Sequence, residues 1–319
     1  MLAWLPAPIL GTLTLLLLVG NTLVWGIPLY LLALAKLGTW GGWRARTTRG
    51  LMEVAMRWSS GNDAILRLTQ RIHWDIRGDA GIVDPHASCL LTANHRSWGD
   101  ILVLMRVLDR RVPFPRFLAK RELLRVPVIG TALWALDFPL VRRYGREALT
   151  QDPQLAQHDL EAIRRACERY RQEPVTLVSF LEGTRFRPYK HAAQQSPFRH
   201  LLKPKSGGIG FALEVMGTQL ARHLDVTIVY PEGRSSFLDL LCGRIRRVVV
   251  AIHRGELPAA LRAGPPAGDG EAFRESVQSW AWQLWLTKDA EIAAILAERP
   301  PAAVSARARE GAAAAPDDR

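Results

Sequence analysis

Cysteine is scarce in this chain of 319 residues: Cys89, Cys167 and Cys242 are isolated and odd in number. That argues against a disulfide scaffold or a paired-cysteine metal site and fits a reducing compartment. Each thiol is expected to act as a small buried apolar residue. Acid is in deficit too, with 30 Asp and Glu against 42 Lys and Arg and a net charge of +12. Such a balance favours anionic partners: phospholipid headgroups, nucleotides or nucleic acid. Recognised nucleic-acid motifs are missing, as is a basic stripe interleaved with aromatics, so no specific nucleic-acid partner is expected. There is no internal repeat. The most informative absence is positional, because no charged side chain occurs before Lys36.

What stands there instead is "LGTLTLLLLVGNTLVWGIPLYLLALA". A bilayer core of ~30 Å needs roughly 20 apolar residues as helix, and this run exceeds that. Residues 1–40 are therefore expected to form a membrane anchor. It is either one span kinked near Pro28 or a helical hairpin doubling back at Gly20-Asn21. No basic region precedes the run and it is too long for a cleaved signal peptide. Trp40, Trp43, Arg44, Arg46 and Arg49 follow. Interfacial tryptophans and clustered arginines mark the cytoplasmic side, which predicts an inner (cytoplasmic) membrane protein with its bulk inside.

Residues 41–298 read as one domain and 299–319 as a disordered tail without core pattern. Short β-branched runs at 87–93, 116–119, 138–141, 175–180, 226–230 and 246–253 are expected strands. Helical periodicity occupies 51–68, 101–108, 126–136, 152–172, 206–218 and 273–296. The alternation predicts an α/β fold, a mixed and largely parallel sheet flanked by helices. Catalytic groups on such sheets sit in loops at the strands' carboxyl ends. The tryptophans of the last helix, Trp280, Trp282 and Trp285, could face the membrane interface or the core.

One such loop holds "NHRSWGD", Asn94 to Asp100. Residues five apart in a continuous helix point about 140° away from each other, so His95 and Asp100 meet only if His95 precedes the helix. Asp100 bonded to one ring nitrogen would fix the tautomer and leave the other as a general base. A polar strand-to-helix turn with Asp100 near the helix start accounts for the pair equally well. A second cluster, Glu182-Gly183-Thr184-Arg185, ends another strand; glycine permits close approach and Arg185 offers a planar fork suited to phosphate. Lys120, Arg142 and Arg143 add cations from a third segment. Together these describe a site for a hydroxyl-bearing phosphate ester. Ser97 lies too close in sequence to His95 to pair with it as a nucleophile.

These residues resemble the glycerolipid acyltransferases, the lysophosphatidic acid acyltransferase family. Asn94-His95 with Asp100 matches NHxxxxD. Lys120, Glu122, Leu123, Pro127 and Gly130 match KxELxxxPxxG, with Arg143 at the second-motif arginine. "FLEGTR" stands for FPEGTR and "IVYP" for the fourth motif. The likeness is nearest to the branch with the bacterial inner-membrane acyltransferase YihG and the lysocardiolipin acyltransferases. Leu181 replaces the usual proline, and Arg142 occupies the place of an aspartate; both leave the acyl acceptor open. The resemblance implies a transferase moving a fatty acyl group from acyl-CoA or acyl-carrier protein to a lysophospholipid. The default acceptor is 1-acyl-glycerol-3-phosphate, giving phosphatidic acid, with lysophosphatidylglycerol or lysocardiolipin as alternatives. It makes His95 the base and Asp100 its orienting acid. Glu182, Gly183, Thr184, Arg185, Arg143 and Lys120 bind substrate, and neither a cofactor nor a metal is implied. A non-catalytic basic protein tethered to the membrane is the rival from another class.

Overall fold

The computed structural model describes residues 4–79, 86–141, 173–220, 222–266 and 269–298, with Leu2, Asp84, 161, 164–165 and 167–170. The expected tail 299–319 and most of the expected helix 152–172 lie outside the described residues. The apolar N-terminal run forms one helix, α1 (Ala7–Leu37), long and apolar enough to cross a membrane by length and composition. It does not double back at Gly20-Asn21. Asn21 instead donates to the Trp58 carbonyl at 2.9 Å and to Asn62 Oδ1 at 2.8 Å across the interface with α2 (Gly41–Thr69). The polar residue serves helix pairing rather than a turn, and the chain reverses after Leu37. Helix α2 begins ten residues before its apolar period does, because its first turns carry Trp43, Arg44 and Thr47 rather than core residues.

A six-stranded sheet of order β1-β8-β7-β2-β6-β3 forms the centre. Its strands are β1 (His73–Gly78), β2 (Cys89–Ala93), β3 (Pro115–Phe117), β6 (Thr176–Phe180), β7 (Arg222–Val229) and β8 (Arg247–Glu256). Every pairing is parallel except β7 with β8. The short strands β4 (Ala119–Lys120) and β5 (Leu140–Val141) pair separately. Strand β1 escapes the sequence pattern because it is an edge strand, "HWDIRG", with Asp75 between Trp74 and Ile76 and Arg77 after them.

Alternation along β2 and β6 separates two cores. Leu91 and Val178 face α3 (Gly99–Leu108) with Leu104 and Leu108. Leu90 and Leu177 face the opposite layer, which includes Leu213, Val277 and Trp285. That layer is built by α6 (Gly207–Met216) and α9 (Gly270–Ala297), while the shorter helices α4 (Ile129–Ala135), α5 (Pro188–Gln194), α7 (Phe237–Leu241) and α8 (Ala259–Ala263) lie between strands and these helices in sequence. Trp285 is fully buried, and Trp280 and Trp282 pack on the same core, so the last helix uses its tryptophans inward. All three cysteines are free and buried, and burial pushes the Cys89 thiol up to about 11 and Cys167 up to about 12. They are packing residues, not nucleophiles.

The α9 side also buries a polar group. Lys288 Nζ bonds the Val226 carbonyl at 2.8 Å and Asp225 at 2.9 Å, while Thr92 donates to Asp225 at 2.7 Å and meets His223 Nε2 at 2.9 Å. Burial holds His223 down to about 4; Lys288 acts in the same direction and Asp225 against it. An unfolded histidine binds its proton at higher pH, so this part of the stability is present above about pH 6.5 and is lost as pH falls towards 4. Set against a His223→Gln variant, which cancels the titration of buried groups such as Glu182, the wild type is expected to lose on the order of 2 kcal/mol more between about pH 7 and pH 5 in thermal unfolding in detergent. Identical pH profiles for the two proteins would contradict a neutral buried His223.

Candidate active site

Because β3, β2, β6 and β7 run parallel to one another, their carboxyl ends share one edge of the sheet. The loops after β2 and β6, and Tyr230 after β7, meet there. Asn94 prolongs β2 as a side-chain substitute for strand pairing. Its amide donates to the Ile228 carbonyl and accepts from the Ile228 N–H, both at 2.8 Å. The next residue, His95, lies before α3, and Asp100 lies in that helix's first turn. This is the arrangement that lets residues five apart meet.

Asp100 is fully buried and its two oxygens take four donors. Oδ2 pairs with His95 Nδ1 at 2.8 Å and accepts the backbone N–H groups of Arg96 at 2.6 Å and Ser97 at 2.8 Å. Oδ1 accepts the Tyr230 hydroxyl at 2.6 Å. Burial and the neighbouring Asp100 charge raise the Tyr230 hydroxyl well above its ordinary value, which keeps it a neutral donor. The His95 ring stacks on Phe180 with centroids 4.1 Å apart, fixing the ring plane from the other side. With Nδ1–H committed to Asp100, Nε2 carries the free lone pair. Among the described residues it has no hydrogen-bond partner, and the side chain keeps 14% of its surface exposed.

The second cluster turns sharply after β6. Gly183 adopts φ +63°, a left-handed conformation that suits glycine, and its N–H donates to the Phe180 carbonyl at 2.8 Å. Glu182 differs from the substrate-contact role implied by resemblance. It is fully buried, with Oε1 accepting the His95 N–H at 2.8 Å and Oε2 the Leu202 N–H at 3.2 Å. Burial pushes its carboxyl up to about 8, opposed by those two amides and by the Arg96 charge. The Arg185 guanidinium lies over the Trp98 ring at 5.0 Å, and Thr184 accepts a hydrogen bond from Lys190 Nζ at 2.6 Å. Lys120 is exposed on β4 and, among the described residues, has no hydrogen bond or ion pair with the His95 group. Arg143 lies outside the described residues. Among the described residues no group of three or more His, Cys, Asp or Glu side chains could hold a metal.

Tyr230 and Lys190 carry no assignment from sequence. Tyr230 sits inside "IVYP", where the motif is visible but the hydroxyl's target is not. Lys190 comes from α5, "PYKHAAQ", which has no buried face to mark it.

Residues 81–231 match the family model described as Acyltransferase. Among individual proteins, the chain is similar to 1-acyl-sn-glycerol-3-phosphate acyltransferase gamma of Mus musculus. The identity is 28% over 184 residues, 55% of this chain and 44% of that protein. It is also similar to 1-acyl-sn-glycerol-3-phosphate acyltransferase 3 of Arabidopsis thaliana, at 25% over 218 residues, 64% of this chain and 52% of that one. The chain thus spans about half the length of the curated relatives it matches. The crystal structure of the 1-acyl-sn-glycerophosphate acyltransferase PlsC from Thermotoga maritima superposes with a TM-score of 0.47 at 16% identity, covering 88% of this chain and 98% of that one.

Proposed function

We propose that this protein transfers a fatty acyl group from a thioester donor, acyl-CoA or acyl-carrier protein, to the free hydroxyl of a lysophospholipid. The proposed default acceptor is 1-acyl-glycerol-3-phosphate and the product phosphatidic acid. The observation that carries this reading is His95 Nδ1 paired with buried Asp100 at 2.8 Å while Nε2 stays open, inside the stretch that matches the Acyltransferase family model. Nε2 takes the hydroxyl proton as the oxygen attacks the thioester carbonyl. The new C–O bond forms, the C–S bond breaks, and the imidazolium returns its proton to the leaving thiolate. Asp100 stabilises the imidazolium in between. Gly183, Thr184 and Arg185 are assigned to the acceptor's phosphate, with Lys120 and Arg143 assisting and Lys190 poised through Thr184. Glu182 is assigned a positioning role through the His95 N–H.

Membrane association belongs to the same reading. Leu16, Leu23, Ile27, Leu31 and Leu34 on α1 are more than half exposed, an apolar face that lipid would cover. The opposite face rests on the domain along its length. A Cβ at Gly11 would come within 2.7 Å of Cys242 Sγ, and Lys36 pairs with Asp137 at 2.6 Å. These contacts support an α1 lying along the cytoplasmic leaflet of the inner membrane rather than crossing it upright.

The test is acyl transfer by the purified protein in detergent, offered acyl-CoA and acyl-carrier protein with a panel of lysophospholipids. Turnover with lysophosphatidic acid is expected. Preference for lysophosphatidylglycerol or lysocardiolipin would replace the acceptor, and no turnover with any pair would overturn the reading in favour of a binding protein. Tyr230→Phe removes one donor from Asp100 without changing shape. An unsatisfied buried acceptor costs about 1–3 kcal/mol, so kcat should fall about tenfold with KM little changed. Wild-type kcat in this variant would remove Tyr230 from the site.

A further inference from the structure

Helix α9 lies beyond the stretch matched by the family model, yet it reaches His95 through one loop. Asp289 on α9 accepts the backbone N–H of Arg199 at 2.8 Å and of His200 at 2.7 Å. One turn earlier, buried Trp285 donates its Nε1–H to the Leu202 carbonyl at 3.0 Å. The same loop is gripped from the site side. The Leu202 N–H donates to Glu182 Oε2 at 3.2 Å, and Arg96 Nη2 donates to the His200 carbonyl at 2.9 Å. Glu182 in turn accepts the His95 N–H at 2.8 Å. The Arg96 guanidinium lies 4.2 Å from the centre of the Phe186 ring, and the Phe186 N–H donates to the His95 carbonyl at 2.7 Å. Both backbone polar groups of His95 therefore end on partners that loop 199–202 helps to hold.

We propose that Asp289 is a positioning residue for His95, acting through loop 199–202, Glu182 and Arg96. The proposal rests on the acyl-transfer reading of the site. A carboxylate suits this place because it accepts two N–H groups with no competing donor, and charge-assisted bonds to amides are roughly twice as strong as neutral ones. Loop amides without strand or helix partners need such an acceptor. Loss of the carboxylate frees the loop, loosens Glu182 and lets the His95 backbone drift. A shift of about 1 Å at a reacting group reduces rate up to about a hundredfold.

The experiment compares the full chain in detergent with Asp289→Ala, Asp289→Asn and Glu291→Gln. Asn keeps one acceptor, so it serves if the alanine variant does not fold. Glu291 faces His253 at 2.6 Å on the same helix and serves as the control. Readouts are kcat, KM for lysophosphatidic acid, thermal unfolding, and backbone hydrogen exchange of the segment containing His95. For Asp289→Ala the expected result is a kcat lower by about ten- to hundredfold with KM within about twofold. Exchange at His95 and Leu202 should be faster than the loss of global stability accounts for; Asn should be intermediate and Glu291→Gln like wild type. Faster exchange confined to 199–202 with wild-type kcat would overturn the proposal, as would exchange raised uniformly across the chain. If the wild type transfers no acyl group to any acceptor while Asp289→Ala still speeds exchange at His95, the acyl-transfer reading fails and the structural coupling stands.

Discussion

Replacing His95 by alanine is expected to lower kcat for acyl transfer by about 10²–10⁴-fold, the contribution typical of a positioned general base. Lysophospholipid binding should barely change. The imidazole is not assigned to the phosphate, and a neutral ring adds little to the attraction between a basic surface and an anionic headgroup. Folding should also survive. Asp100 would lose one donor but keep the Arg96 and Ser97 amides and the Tyr230 hydroxyl, so no buried carboxylate is left uncompensated. Steady-state kinetics with unfolding measured on the same preparation checks this. Wild-type kcat in His95→Ala would remove the base from the mechanism.

Asp100→Asn is the second large effect, with an expected fall in kcat of about 10³–10⁴-fold. If the asparagine oxygen takes the place of Oδ2, it still accepts from His95 and the two backbone amides, but the charge that stabilises the imidazolium is gone. If the amide is turned round, its NH₂ faces Nδ1, and the ring must move its proton to Nε2, which then cannot act as a base. The first arrangement leaves shape nearly intact, since the Tyr230 hydroxyl can accept as well as donate; the second sets the NH₂ against the Arg96 and Ser97 N–H groups and is the costlier. Asp100→Ala tests less cleanly, because it strands buried donors and destabilises the fold. A kcat within tenfold of wild type for Asp100→Asn, at unchanged unfolding temperature, would contradict an orienting role.

The parts of this site that sequence made visible are those whose partners lie close along the chain. His95 and Asp100 are five residues apart, and only one local geometry joins them. The helix start after "LLTA" supplies it. Strand ends were legible because β2, β6 and β7 are buried on both faces and read as apolar runs. Edge strand β1 has no such run, and α7 is too short for periodicity despite the Ser236 capping box at its start. Glu182 was visible as a polar residue in a turn, but its acceptors' targets, the amides of His95 and Leu202, depend on loops brought together only by the sheet. Asn21 misled for the same reason. A polar residue beside glycine suggests a turn until Asn62 and the Trp58 carbonyl are seen across the helix pair.

The proposed transfer is direct, with His95 activating the acceptor hydroxyl and no acyl group passing through the protein. The most direct measurement mixes the wild-type protein with an acyl donor, with and without lysophosphatidic acid, and reads both lipid product and intact protein mass. The predicted result is phosphatidic acid only when the acceptor is present, with no mass gain on the protein when the donor is alone. An acyl adduct on the protein without acceptor, on Ser97 or any other residue, would contradict direct transfer. Absence of phosphatidic acid with the acceptor present would contradict lysophosphatidic acid as the acceptor.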